Sequence, residues 1–94
     1  MRQVTEQIKQ AFEQGKALKK GNTRTDGTSV FLHGNEIVKR DPSGLVLATL
    51  AGWNTPTTRE RVNGITGIGI YQKNFVPMLN GCEIDSFDWV VVQG

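Results

Sequence analysis

Trp53, Thr55, Thr58, Arg59, Arg61 and Asn63 carry side chains suited to holding a ligand or partner, and they fall within one short stretch. That stretch, Gly52-Trp53-Asn54-Thr55-Pro56-Thr57-Thr58-Arg59-Glu60-Arg61-Val62-Asn63-Gly64, is the densest polar and aromatic block of the chain. Thr57 followed three residues later by Glu60 has the form of a capping box, so a short helix is expected to start there and to end at Gly64. A helix N-terminus with free N–H groups, hydroxyls and nearby guanidinium groups suits a phosphate or carboxylate. An indole can stack on a base or fill a pocket in a partner protein. A structural role competes with this one, in which Thr57 caps, Trp53 closes the core beneath the loop, and Arg59 and Arg61 are merely solvated. Both readings stay open at this point.

Asn22-Thr23-Arg24-Thr25-Asp26-Gly27 is a second polar stretch. Read as a strand, it has too few apolar residues to bury either face, so an edge or exposed hairpin is expected, free to pair with a partner or a second copy. Arg24 with Lys19 and Lys20 would form a basic rim. Residues 1–40 hold eight Lys or Arg against four Asp or Glu, whereas residues 41–94 hold three against five. The front half therefore suits nucleic acid or an acidic protein surface. The patch is thinner than phosphate-binding proteins usually show, so ordinary solvated lysines are the competing explanation.

Other chemistry is poorly supplied. His33 is the only histidine and Cys82 the only cysteine, and neither sits in a recognisable nucleophile signature. His33 beside Gly34-Asn35 reads as a turn-flanking or partner-contacting group, and Cys82 as a small, partly buried apolar residue. Structural zinc needs more soft or imidazole ligands than these two, and no metal or cofactor is expected. Glu83, Asp85 and Asp88 lack the spacing of a calcium loop and read as a solvated hairpin. Gly64, Gly67 and Gly69 run G-x-x-G-x-G after a helix. A dinucleotide fingerprint runs G-x-G-x-x-G after a strand.

The elements that must position these residues follow from periodicity. Val4, Ile8, Ala11, Phe12 and Leu18 draw one apolar stripe, which predicts an amphipathic helix over 3–19 closed by Lys19, Lys20 and Gly21. Beyond Gly21 the period becomes two and turns arrive often. Asp26-Gly27, Gly34-Asn35, Asp41-Pro42-Ser43-Gly44 and Asn80-Gly81 are turn signals. Between them lie strands at Val30–Leu32 and Glu36–Arg40, an apolar and central one at Leu45–Leu50, two more at Ile68–Lys73 and Phe75–Leu79, and a last one at Trp89–Val92. Pro77 marks the Phe75–Leu79 strand as an edge. The expected fold class is α+β, with an N-terminal amphipathic helix on an antiparallel sheet of about five to seven short strands and a second short helix. A chain of 94 residues is expected to form a single domain with a thin core, which self-association would support. No apolar run approaches the roughly 18 residues of a membrane span. The N-terminus is too polar for a secretory signal, and one cysteine allows no internal disulfide. These features lead to an expectation of the cytoplasm and no membrane partner.

Gly21–Gly27, Phe31–Ile37 and Ala51–Gly64, together with Leu79-Asn80-Gly81 and Trp89, resemble a family of small phage and prophage proteins of unknown function. The resemblance spans about residues 20–92 and transfers no catalytic residues. It implies a phage product acting in the host cell's cytoplasm. Small phage chains often act stoichiometrically on host machinery, and inhibitors of bacterial defence, CRISPR-directed ones included, are prominent among them. The leading expectation is therefore a non-enzymatic inhibitor that binds a host protein complex. A nucleic-acid-binding accessory protein and a sponge for a nucleotide signal are the alternatives, and a homo-oligomer is admitted by each.

Overall fold

The computed structural model describes residues 2–92. Along the chain run α1 (Gln3–Glu13), β1 (Leu18–Lys20), β2 (Thr23–Thr25), β3 (Ser29–Leu32), β4 (Asn35–Arg40), β5 (Val46–Ala48), α2 (Pro56–Thr66), β6 (Tyr71–Lys73), β7 (Val76–Leu79), β8 (Cys82–Glu83) and β9 (Val90–Val91). The first five strands form an antiparallel meander, and β9 returns to pair with β5. The six-stranded sheet has the order β1-β2-β3-β4-β5-β9, and β6-β7-β8 make a separate three-stranded sheet. The class is α+β, as expected, with the strands divided between two sheets.

Alternation along the strands sends Val30, Leu32, Val38 and Ala48 to one face, where they meet Ile8 and Phe12 of α1 and Val62 and Ile65 of α2. Helix α1 keeps its apolar stripe but stops at Glu13 instead of residue 19. Gly15 adopts φ +69° just beyond, a left-handed turn that glycine makes without steric cost. Leu18 then packs against the core from β1, so Lys19 and Lys20 stand on an edge strand and not in a last helical turn.

Strand β2 is not an edge, because it pairs with both β1 and β3. Its threonines are buried at little cost because their hydroxyls are satisfied. Thr25 Oγ1 donates to the Ser29 carbonyl at 2.6 Å and accepts from the Gly27 N–H.

The second helix starts two residues before the expected Thr57. Thr55 is the N-cap, its hydroxyl accepting from the Thr58 N–H at 3.2 Å, and Pro56 fills the first turn. Proline suits that position because its missing N–H has no helical partner to lose. Glu60 does not close a capping box and accepts from Thr5 of α1 instead. The helix passes through Gly64 and ends at Gly67, φ +81°. The β3–β4 loop is His33-Gly34, one residue earlier than expected, and both residues have positive φ. Pro77 lies in the middle strand of the small sheet, where its carbonyl accepts from the Ile84 N–H, and Cys82 is exposed.

Candidate functional site

The capped start of α2 approaches the His33 end of β3 and β4, and a cleft of about 560 Å³ opens between them. Its floor is Leu32, Ile37 and Leu50. Ile37 reaches it through a register slip between β3 and β4, which leaves the consecutive residues Ile37 and Val38 both buried. Such a bulge re-aims one side chain without ending the ladder. Trp53, Thr55, Thr57 and Thr58 form the helix side, and Asn22, His33 and Asn35 the strand side. The volume lies in the ordinary range for ligand pockets. Among the described residues, the lining offers hydroxyls, carboxamides and one imidazole, with no Lys, Arg, Asp or Glu.

The loop before α2 determines where Trp53 points. Ala51 at φ +53° and Gly52 at φ +84° are consecutive left-handed residues, and Trp53 emerges 58% exposed. It does not close the core. The Phe87 ring lies so close to Gly52 that a Cβ there would fall 2.5 Å from it. On the other side, the Asn54 amide donates to the Phe75 carbonyl at 3.4 Å and to Gln72 Oε1 at 3.1 Å. Phe75 is 88% exposed and Phe87 73% exposed. Three exposed aromatic residues are therefore organised around one loop at the cleft. Phe75 follows Asn74 in a two-residue hairpin with both φ values positive. A phenylalanine there costs about 1–2 kcal/mol of backbone strain, and strained residues of this kind concentrate at functional sites.

The structure divides the residues that the sequence grouped. Trp53, Thr55 and Thr58 line the cleft. Arg59 turns aside and donates to Asn54 and Gln72, bracing the aromatic loop. Arg61 is only 5% exposed. Its Nε donates to Thr23 Oγ1 and its Nη1 to Thr5 Oγ1, each at 3.0 Å, and it pairs with Glu60. Asn63 donates to the Ile70 carbonyl and accepts from the Ile70 N–H, both at 2.8 Å, splinting the exit from α2. Arg61 and Asn63 are thus structural in this fold.

Lys19 and Arg24 border a smaller groove of about 200 Å³ that shares Asn22 and His33 with the cleft. Lys20 pairs opposite Thr23, which faces the helices, and so stands on the other side of the sheet from Lys19. Asn35, Leu50, Phe75 and Phe87 joined the region without any local signal, except that Asn74-Phe75 sits between two β-prone runs at hairpin spacing.

The family model described as Kyanoviridae Gp96 protein matches residues 1–93. The chain belongs to that family. Membership in the Kyanoviridae Gp96 family makes it a phage protein, in line with the resemblance found in its sequence. No curated protein and no solved structure matches it. Among the described residues, no helix is long and apolar enough to cross a membrane, and no group of three or more His, Cys, Asp or Glu could hold a metal ion.

Proposed function

We propose that this phage protein is a non-enzymatic binding protein that holds a host protein stoichiometrically, with the aromatic loop and the cleft beside it as its docking surface. The observation that carries the reading is the grouping of Trp53, Phe75 and Phe87 around residues 51–54. Large exposed aromatics, fixed by backbone hydrogen bonds and backed by an apolar-floored cleft, match the composition of protein-interface hot spots. A cleft lining without Lys or Arg among the described residues favours an apolar side chain of a partner over a nucleotide, whose phosphates need cations or many N–H donors. Among the described residues, the imidazole of that lining, His33, meets the Asn22 carboxamide and not a hydroxyl. Inhibition of a host defence complex is the finer form of this reading and rests on phage origin and chain size.

The test is affinity capture from host lysate with tagged wild-type protein and a Trp53→Ser/Phe75→Gly variant, with and without nuclease, read by mass spectrometry. The expected result is one host protein in near-equal amount with wild type, resistant to nuclease and lost with the variant. Both substituted residues are exposed, so the variant should melt within about 1 kcal/mol of wild type. Capture that survives the double substitution, or that disappears with nuclease, overturns the proposal.

A further inference from the structure

Both helices lie on one face of the six-stranded sheet, and the opposite face has a composition of its own. Thr23, Thr25, Val30, Leu32, Val38 and Ala48 point toward the helices and are buried. Antiparallel pairing puts the intervening residues on the other side. Lys19 stands opposite Arg24, Arg24 opposite Phe31, and Phe31 opposite Glu36, a row across four strands. Lys39 stands opposite Leu47 and Leu47 opposite Val91 in a neighbouring row. The Arg24 guanidinium carbon lies 4.0 Å from the Phe31 ring centroid. The Lys39 ammonium lies 4.1 Å from the Trp89 ring centroid, which places Trp89 on the same face. The carboxylate in the first row, Glu36, accepts from the Ser29 hydroxyl at 2.6 Å.

We infer that this face binds single-stranded nucleic acid, with bases stacking at the Arg24–Phe31 and Lys39–Trp89 pairs and the phosphates following Lys19, Arg24 and Lys39. All three cations belong to the basic front of the chain and outnumber the one carboxylate of their rows, Glu36. A guanidinium held over a phenyl ring offers its own outer plane to a base. An ammonium can swing from an indole to a phosphate and leave the ring open for stacking. Phe31 belongs to β3 and Trp89 leads into β9, three strand spacings or about 14 Å away at the backbone, so splayed bases can reach separate rings. A duplex keeps its base faces inside its own stack and cannot use them. This surface and the aromatic loop carry different residues and call for different ligands.

The test uses a Trp53→Phe chain, in which Trp89 is the remaining tryptophan. It is titrated with a labelled oligothymidylate of about 12 nucleotides and with a matched duplex, read by tryptophan emission and by anisotropy of the label. The expected result is quenching of Trp89 by the single strand. Affinity should fall roughly 20-fold between 50 and 200 mM salt, from three phosphate contacts at about −0.7 each in the log–log slope. Trp89→Ala should weaken binding roughly 5- to 150-fold, and Arg24→Glu/Lys39→Glu should reduce both affinity and the salt slope. The quench needs no substitution on the face itself, so it decides the matter even where Trp89→Ala folds poorly. No binding at 50 mM salt, or a duplex bound as tightly as the single strand, overturns the inference. So does binding that responds to the charge reversals but leaves Trp89 emission unchanged, which would mark a purely electrostatic surface for acidic partners.

Discussion

Arg61→Ala separates the structural assignment of this residue from the ligand-binding role its sequence context suggested. The guanidinium belongs to α2, but its partners are Thr23 of β2 and Thr5 of α1, besides its neighbour Glu60. Truncation removes two hydrogen bonds from a charged donor, at about 1.5–3 kcal/mol each. Glu60 loses its nearest cation but still accepts from the Thr5 hydroxyl and keeps Arg2 at 3.9 Å. Those contacts and 24% side-chain exposure leave Glu60 largely satisfied, so the two lost hydrogen bonds set the scale and the net loss should be about 3 kcal/mol, the low end of their sum. A chain of 94 residues has a total stability of roughly 5–14 kcal/mol at about 0.05–0.15 kcal/mol per residue. The loss should appear as a fall of about 12–24 °C in the melting temperature, measured by circular dichroism and checked by urea titration. Arg59→Ala is the control. Its hydrogen bonds to Asn54 and Gln72 lie near the surface, so it should cost under about 1 kcal/mol. If Arg61→Ala melts within about 4 °C of wild type, the three-element clasp is wrong and Arg61 returns to the candidate ligand-binding residues.

Thr55→Ala should cost about 1 kcal/mol through loss of the cap, while Thr57→Ala should stay within about 0.5 kcal/mol; the reverse order in thermal melts would restore the cap position expected from sequence. Gly27→Ala would set a Cβ 2.5 Å from the Gly15 carbonyl oxygen at φ +93°, so it should cost more than about 2 kcal/mol, and an unchanged urea midpoint would contradict the close packing of the α1 exit loop on the β2–β3 turn. Asp26 is held below the ordinary carboxylate range chiefly by the Ser29 and Thr28 N–H groups, and Asp41 chiefly by the Ser43 hydroxyl. A carboxyl depressed in the folded state contributes stability above its unfolded pKa and loses it as pH falls through the folded value. Urea midpoints should therefore decline below about pH 4, and less steeply in Asp26→Asn/Asp41→Asn; equal slopes would show that these turns do not carry the acid sensitivity.

Much of the fold was legible because its signals are local. Spacings of four between Val4, Ile8 and Phe12 mark a helix whatever surrounds it. Asp26-Gly27 and Asn80-Gly81 make tight turns because their side chains and backbone freedom suit left-handed or turn geometry in any context. The misplacements came from equivalent local choices. Gly15 and Gly21 could each end the first helix, and Thr55 and Thr57 could each cap the second. Packing decided between them: Leu18 reaches the core from β1, and Glu60 is drawn to Thr5 and Arg61 rather than back to the helix start.

The sequence by itself determined the α+β class, the two helices, most of the turns, the basic front half and the phage-family likeness. All but the last, which is a resemblance, follow from composition and from spacings within a few residues. Only the tertiary structure decided which side chains of the Trp53–Asn63 block face outward. A helix turns its residues by about 100° each, so neighbours such as Arg59 and Arg61 diverge, and the position of the sheet beneath α2 decides which is buried. Bringing β9 beside β5, Phe75 and Phe87 to the Gly52–Asn54 loop, and Trp89 over Lys39 required contacts between residues far apart in the chain. Such contacts exist only once the core has closed, and no local spacing encodes them.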